Sequence, residues 1–307
     1  MLIEILIIVL CIAGLWIGGS WIVESAARIA RKVGMSELVI GLTIVAIGTS
    51  APEFAVTIAA ALSGSADISV GNVVGSNIFN LGFILGGVAL VAGIPTTRKL
   101  VTRDGGMLIA TTLLLLFLLR DLQLALWEGI LLLVLLISYV TFLIVQRDDS
   151  SVETEELPDG DFTWKDVPML VGGIALIVTS GHFLVDAATV IALALGISEW
   201  VIGVTIVAAG TSAPELATSL MGVLRGKHGI SIGNLIGSDL FNLLGVLGLA
   251  AIISPLTVES AAFGSMFLLT GLVVLVVIML RTGWRLSRWE GGLLIAINLA
   301  RWIMDFT

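Results

Sequence analysis

Two identical stretches, Gly48-Thr49-Ser50-Ala51-Pro52-Glu53 and Gly210-Thr211-Ser212-Ala213-Pro214-Glu215, place a carboxylate, two hydroxyls and a proline inside otherwise apolar sequence. An ionisable side chain at bilayer depth costs about 2.5 to 3.5 kcal/mol on insertion scales, so its default reading is functional. The proline has no N–H and its ring crowds the carbonyl four residues earlier. Gly48 and Gly210 weaken the same turns. Backbone oxygens of Ala46 to Thr49 and Ala208 to Thr211 are therefore expected to become available to a ligand, as in discontinuous membrane helices that bind cations. Thr49 and Glu53 are four apart and share a helical face.

A second duplicated stretch completes the set: Gly71-Asn72-Val73-Val74-Gly75-Ser76-Asn77-Ile78-Phe79-Asn80 and Gly233-Asn234-Leu235-Ile236-Gly237-Ser238-Asp239-Leu240-Phe241-Asn242. Ser76 and Asn80 are four apart, as are Ser238 and Asn242, so each pair projects oxygen from one face. The inventory is two carboxylates, two amides, several hydroxyls and freed carbonyls, with no nitrogen or sulfur ligand. That is a hard-cation list. Calcium accepts six to eight oxygens in irregular geometry, and sodium can use the same oxygens.

The elements that must position these groups are membrane helices. The chain has 307 residues, 58% hydrophobic and 12% charged, with a mean hydropathy of +1.12, which belongs to a polytopic membrane protein. Apolar runs near 3 to 30, 37 to 62, 69 to 92, 107 to 120, 124 to 146, 165 to 190, 199 to 223, 229 to 253, 262 to 280 and 287 to 305 predict ten transmembrane helices in an all-α protein. Residues 146 to 165 carry Asp148, Asp149, Glu153, Glu155, Glu156, Asp159 and Asp161 and read as a solvated acidic linker. Their spacing fits no EF-hand loop. The linker supplies most of the net charge of −8, so neither nucleic-acid binding nor a basic membrane-surface patch is implied. Cys11 is the single cysteine and excludes an internal disulfide. The first apolar run lacks a signal peptide's basic region and is too long for one, so it is retained as the first helix.

The halves 1–146 and 165–307, joined by the 147–164 linker, are duplicates. At an offset of 162, residues 39 to 80 match residues 201 to 242 at 24 of 42 positions. Gly34, Ser36 and Glu37 answer Gly196, Ser198 and Glu199, and Trp127-Glu128-Gly129 answers Trp289-Glu290-Gly291. Five helices per half, an odd number, turn the second half upside down, the inverted-repeat plan of secondary transporters with a site between the repeats at the midplane. With the amino terminus outside, 13 of the 15 basic residues fall in cytoplasmic loops and only Arg120 and Arg301 outside. Both termini are then extracellular or periplasmic.

The two GTSAPE stretches and the two GN-x-x-GS-x-x-FN stretches resemble the alpha repeats of the sodium/calcium exchangers, within the wider cation/calcium antiporter superfamily. The resemblance covers nearly the whole chain. It implies that helices 2, 3, 7 and 8 form the ion site within a core of helices 2 to 5 and 7 to 10, and that the long helices 1 and 6 slide during alternating access. It also implies ion contacts from Glu53, Glu215, Ser50, Ser212, Ser76, Ser238, Asn80, Asn242 and the carbonyls of Ala46, Thr49, Ala208 and Thr211. Some family members, including those that also carry potassium, have aspartate in place of Asn242, which argues against potassium dependence. Asp239 stands where the first repeat has Asn77, about 60° round the helix from Asn242, and either reaches the edge of the site or packs a cavity.

The expected function is sodium/calcium antiport without covalent chemistry or cofactor, with calcium, sodium and membrane lipid as partners and no obligatory protein partner evident. The small size suits a prokaryotic cell membrane. A calcium/proton antiporter on the same scaffold is the alternative. A serine hydrolase using Ser50 or Ser212 is remote, because neither motif contains a His or Lys base. Glu128 and Glu290 read as structural acids at helix starts. Glu24 and Asp186 correspond across the repeats and suit capping or interfacial solvation, with entrance residues as the alternative, and Trp127, Trp164, Trp200 and Trp289 suit interfacial anchoring.

Overall fold

A computed structural model describes residues 2–146, 161–195 and 208–305. The acidic run 147–160 and the stretch 196–207, which includes Gly196, Ser198, Glu199 and Trp200, lie outside the described residues. Nearly everything described is helical, with four two-residue strands added. Among the described residues, seven helices are long and apolar enough to cross a membrane, and eight if the bent pair Glu37–Thr49 and Ala51–Leu62 is one span. The described helices Ala213–Leu224 and Arg288–Asp305 fall on the seventh and tenth expected runs.

Two compact units are present, and each takes pieces of both halves of the sequence: Met1–Pro52 with Leu143–Asn234, and Glu53–Phe142 with Leu235–Thr307. In the first unit the helix Leu2–Val33 packs along Asp166–Ala194. Gly18 and Gly173 make this approach possible, since a Cβ on either would stand 3.0 Å from the other's carbonyl oxygen. Ile22, Ala26, Ala30, Ile40, Val45, Ile177 and Ile230 form the buried apolar seam. The ion pair Arg28–Asp166, at 2.7 Å, joins these two helices, while Arg225–Glu24 and Lys227–Glu37, at 2.5 and 2.8 Å, tie the loop after Leu224 to Leu2–Val33 and to the helix Glu37–Ile40. Glu24 is thus an ion-pair partner of the basic loop after Leu224, while Asp186 lies 3.5 Å from His182.

The second unit carries the duplication in its contacts. Strand β1 (Ile94–Pro95) pairs antiparallel with β4 (Arg285–Leu286), and β2 (Gln123–Leu124) with β3 (Leu256–Thr257). Shifting residue numbers by 162 turns one ladder into the other. Gly86 against Gly291 becomes Gly248 against Gly129 by the same shift. Leu122 and Trp284, also 162 apart, both adopt left-handed φ, at 61° and 53°. A contact set that maps onto itself when the repeats are exchanged is the mark of a two-fold axis relating them. Glu128 and Glu290 accept the Ala125 and Ser287 amide hydrogens at 2.7 and 2.8 Å, closing equivalent helix starts and bearing out a structural role.

The helices Ala66–Phe79 and His228–Leu240 each run into a π-helical stretch, Asn80–Ile84 and Phe241–Val246, before continuing. These spans are the most enclosed: 72% and 78% of their apolar windows are buried, against 22% for Leu2–Val33 and for Asp166–Ala194. Polar groups on the former therefore face protein rather than lipid.

Candidate ion site

Helix Ala46–Thr49 ends at Ser50, whose φ of −79° and ψ of 13° leave the α region, and the segments on either side bend by 51°. Ser212 holds the equivalent conformation, φ −89° and ψ 9°, before Ala213–Leu224. The bend thus sits two residues ahead of Pro52, and Ser212 stands at the same spacing from Pro214. The Ala46 carbonyl closes the last intact turn, accepting from Ser50 N at 3.0 Å and Thr49 Oγ1 at 3.2 Å. Pro52, lacking an N–H, leaves Gly48 without its helical donor. Across a 51° bend Thr49 and Glu53 no longer share a straight helical face.

In the first unit, Glu215 is fully buried and its Oε1 accepts the Ser50 hydroxyl at 3.0 Å. The Glu215 carbonyl accepts from Asn234 Nδ2 at 3.4 Å, and the same nitrogen reaches Ser219 Oγ at 3.1 Å. Thr49 Oγ1 donates to Asn234 Oδ1 at 2.9 Å. Thr49, Ser50 and Ser212 are buried, whereas Thr211 is partly exposed. The backbone of Ala208 opens the short helix Ala208–Thr211.

In the second unit, Glu53 is also fully buried. Its carbonyl accepts from Asn72 Nδ2 at 3.2 Å, and Asn72 Nδ2 also reaches Thr57 Oγ1 at 2.9 Å. This repeats the Asn234 arrangement at an offset of 162. Ser69 Oγ donates to the Thr57 carbonyl at 3.1 Å, as Ser231 Oγ does to Ser219 O at 2.7 Å. Asn72 and Asn234 thus clamp the two glutamate-bearing turns, a role that sequence reasoning missed although their identity across the repeats marks them.

The remaining ligand candidates of the second unit are Ser76, Asn80, Ser238 and Asn242, all buried. Ser76 Oγ donates to the Asn72 carbonyl one turn back. Asn80 Nδ2 donates to Asp239 Oδ1 at 3.0 Å, and Asn242 Nδ2 to Asn77 Oδ1 at 3.2 Å. Asp239 is therefore bonded directly to Asn80, one of the candidate ligands. The amide oxygens of Asn80 and Asn242 are buried and take no hydrogen bond from the described residues. A buried oxygen without a donor normally costs free energy, and a cation removes that cost. Chemically, each unit offers carboxylate, hydroxyl and amide oxygen in an enclosed setting, a donor set for a hard cation.

Residues 3–145 and 165–300 match the sodium/calcium exchanger protein family. The sodium/calcium exchanger MaX1 of Methanosarcina acetivorans is 34% identical over 99% of both chains. The putative antiporter CaxA of Alkalimonas amylolytica is 40% identical over 89% of both. A solved structure of the sodium-calcium exchanger NCX_Mj superposes with a TM-score of 0.86 at 29% identity, covering 100% of this chain and 99% of that one. The relatives matched along the full length are exchangers and antiporters rather than enzymes, and the chain is a member of the sodium/calcium exchanger family.

Proposed function

We propose that this antiporter exchanges sodium for calcium across a prokaryotic cell membrane by alternating access, with both termini on the outer side. The observation that carries the reading is the pair of buried amide oxygens, on Asn80 and Asn242, that have no donor among the described residues while both amide nitrogens are bonded to protein acceptors. The likeness to exchangers of sodium and calcium along the whole chain supports the choice of ions.

In one unit the proposed ligands are Glu53, Ser76, Asn80, Ser238 and Asn242. In the other they are Ser50, Ser212, Glu215 and the carbonyls of Ala46, Thr49, Ala208 and Thr211. Each set holds a carboxylate among hydroxyl, amide or carbonyl oxygens, and sodium can use the same oxygens as calcium. The helices Leu2–Val33 and Asp166–Ala194 have mostly unburied apolar windows, so they can shift along lipid without exposing a packed core to water. The 147–164 linker, with residues 147–160 outside the described residues, would join inverted repeats 1–146 and 165–307 on the cytoplasmic side.

Calcium-45 uptake into sodium-loaded liposomes at fixed pH tests this. Uptake that needs internal sodium is the expected result. Uptake driven by a proton gradient alone would replace sodium with protons as the counter-ion, and no uptake under either gradient would overturn the antiport reading.

A further inference from the structure

We infer that Asp239 sets the orientation of both amide ligands, Asn80 and Asn242, and so makes them present oxygen rather than nitrogen to the transported cation. The inference rests on the reading that these two asparagines are ion ligands.

An asparagine amide has an oxygen end and a nitrogen end of similar size, and only the oxygen can bind a cation. Which end faces an ion is therefore decided by what the other end is bonded to. Asp239 Oδ1 receives Asn80 Nδ2 at 3.0 Å. Asp239 Oδ1 is the acceptor of this bond, so Asn80 turns its nitrogen toward Asp239 and its oxygen away.

The second arm starts from the same residue. The Asp239 carbonyl accepts from Asn77 Nδ2 at 3.1 Å. A carbonyl only accepts, so Asn77 is left with its oxygen toward Asn242, whose Nδ2 donates to it at 3.2 Å. Asn242 Oδ1 then points elsewhere. The outcome is the one observed: Asn80 Oδ1 and Asn242 Oδ1 are both buried without a donor among the described residues. All four residues are fully buried, so bulk water does not compete for these positions.

Repeat symmetry makes residue 239 the informative position. The Asn80–Asp239 and Asn242–Asn77 pairs exchange when numbers shift by 162. Within the ten residues 71–80 and 233–242, Asn77 and Asp239 are the only counterparts that differ in charge. An asparagine at 239 would offer Asn80 either end of its own amide, and the orientation of Asn80 would no longer be forced. Asp239 is thus a positioning residue acting through Asn80 directly and through Asn77 on Asn242.

The test is a double-mutant cycle on the full-length purified protein, reading calcium affinity by calorimetry and half-saturating calcium and maximal rate by uptake. Removing a group that holds a metal ligand in place typically costs about 10 to 100-fold in affinity. Asp239→Asn is expected to weaken calcium binding about tenfold with little change in maximal rate, and to have almost no effect when Asn80 is already alanine. Asn77→Ala tests the other arm independently: its effect should vanish in an Asn242→Ala background, which keeps the idea falsifiable if Asp239→Asn does not fold. Equal effects with and without the amide ligand, or unchanged affinity in both single variants, overturn the inference while leaving the exchanger reading standing. A wild-type protein that neither binds nor transports calcium overturns both.

Discussion

Ser50 donates its hydroxyl hydrogen to Glu215 Oε1 across 3.0 Å, joining the kink of one duplicated motif to the carboxylate of the other within one compact unit. A hydrogen bond to a buried charged group contributes about 1.5 to 3 kcal/mol. Ser50→Ala should therefore raise half-saturating calcium about tenfold or more, because Glu215 loses the donor that holds its carboxylate. Unchanged calcium dependence in uptake assays would remove Ser50 from the site.

Glu53→Gln and Glu215→Gln keep side-chain volume but each removes a fully buried carboxylate. Leaving a buried charge uncompensated costs about 3 to 5 kcal/mol. Either variant should lose on the order of a hundredfold or more in calcium affinity, measured by calorimetry, while remaining folded in detergent. A variant that transports at the wild-type rate would exclude that glutamate as a ligand.

Gly86 and Gly291 pack backbone to backbone, and a Cβ on Gly291 would lie 2.6 Å from the Gly86 carbonyl oxygen. Overpacking of this kind costs about 1 to 3 kcal/mol. Gly291→Ala should lower the thermal midpoint in detergent, whereas Gly264→Ala, which meets nothing within 4 Å, should leave it unchanged or raise it.

Glu128 and Glu290 close helix starts rather than binding ions. Their replacement by alanine should each cost about 0.5 to 2 kcal/mol of stability. Calcium half-saturation should not move, and a tenfold change in it would give these acids a part in transport.

Much of this arrangement can be read from residues. The 162-residue offset is visible in the sequence and reappears in paired strands, glycine contacts and left-handed turns. The glutamates, serines and asparagines stand out because polar groups are rare in such apolar runs. Less was legible where tertiary contacts decide. The bend occurs at Ser50 rather than at Pro52, because the Ser50 amide still completes the preceding turn on Ala46. The π-helical stretches at Asn80–Ile84 and Phe241–Val246 carry no local signal, since their sequences are ordinary for an α-helix. Asn72 and Asn234 look like linkage within a motif until their nitrogens are seen on the Glu53 and Glu215 carbonyls. The two compact units, which divide near Pro52 and Asn234, cut across the sequence duplication.

The strand ladders have a consequence for biogenesis. Ile94 waits for Leu286 and Leu124 waits for Leu256, so neither ladder can close until most of the second repeat has been synthesised. Chains are made at roughly 5 to 20 residues per second, which leaves the first partner strand exposed for about 10 to 40 seconds. The unit built from Met1–Pro52 and Leu143–Asn234 has all its residues available earlier. Assembly would thus proceed from one half-built partnership to the next, and a truncation just before Arg285 should leave the β1 edge open to wrong pairing while sparing the unit completed by Asn234.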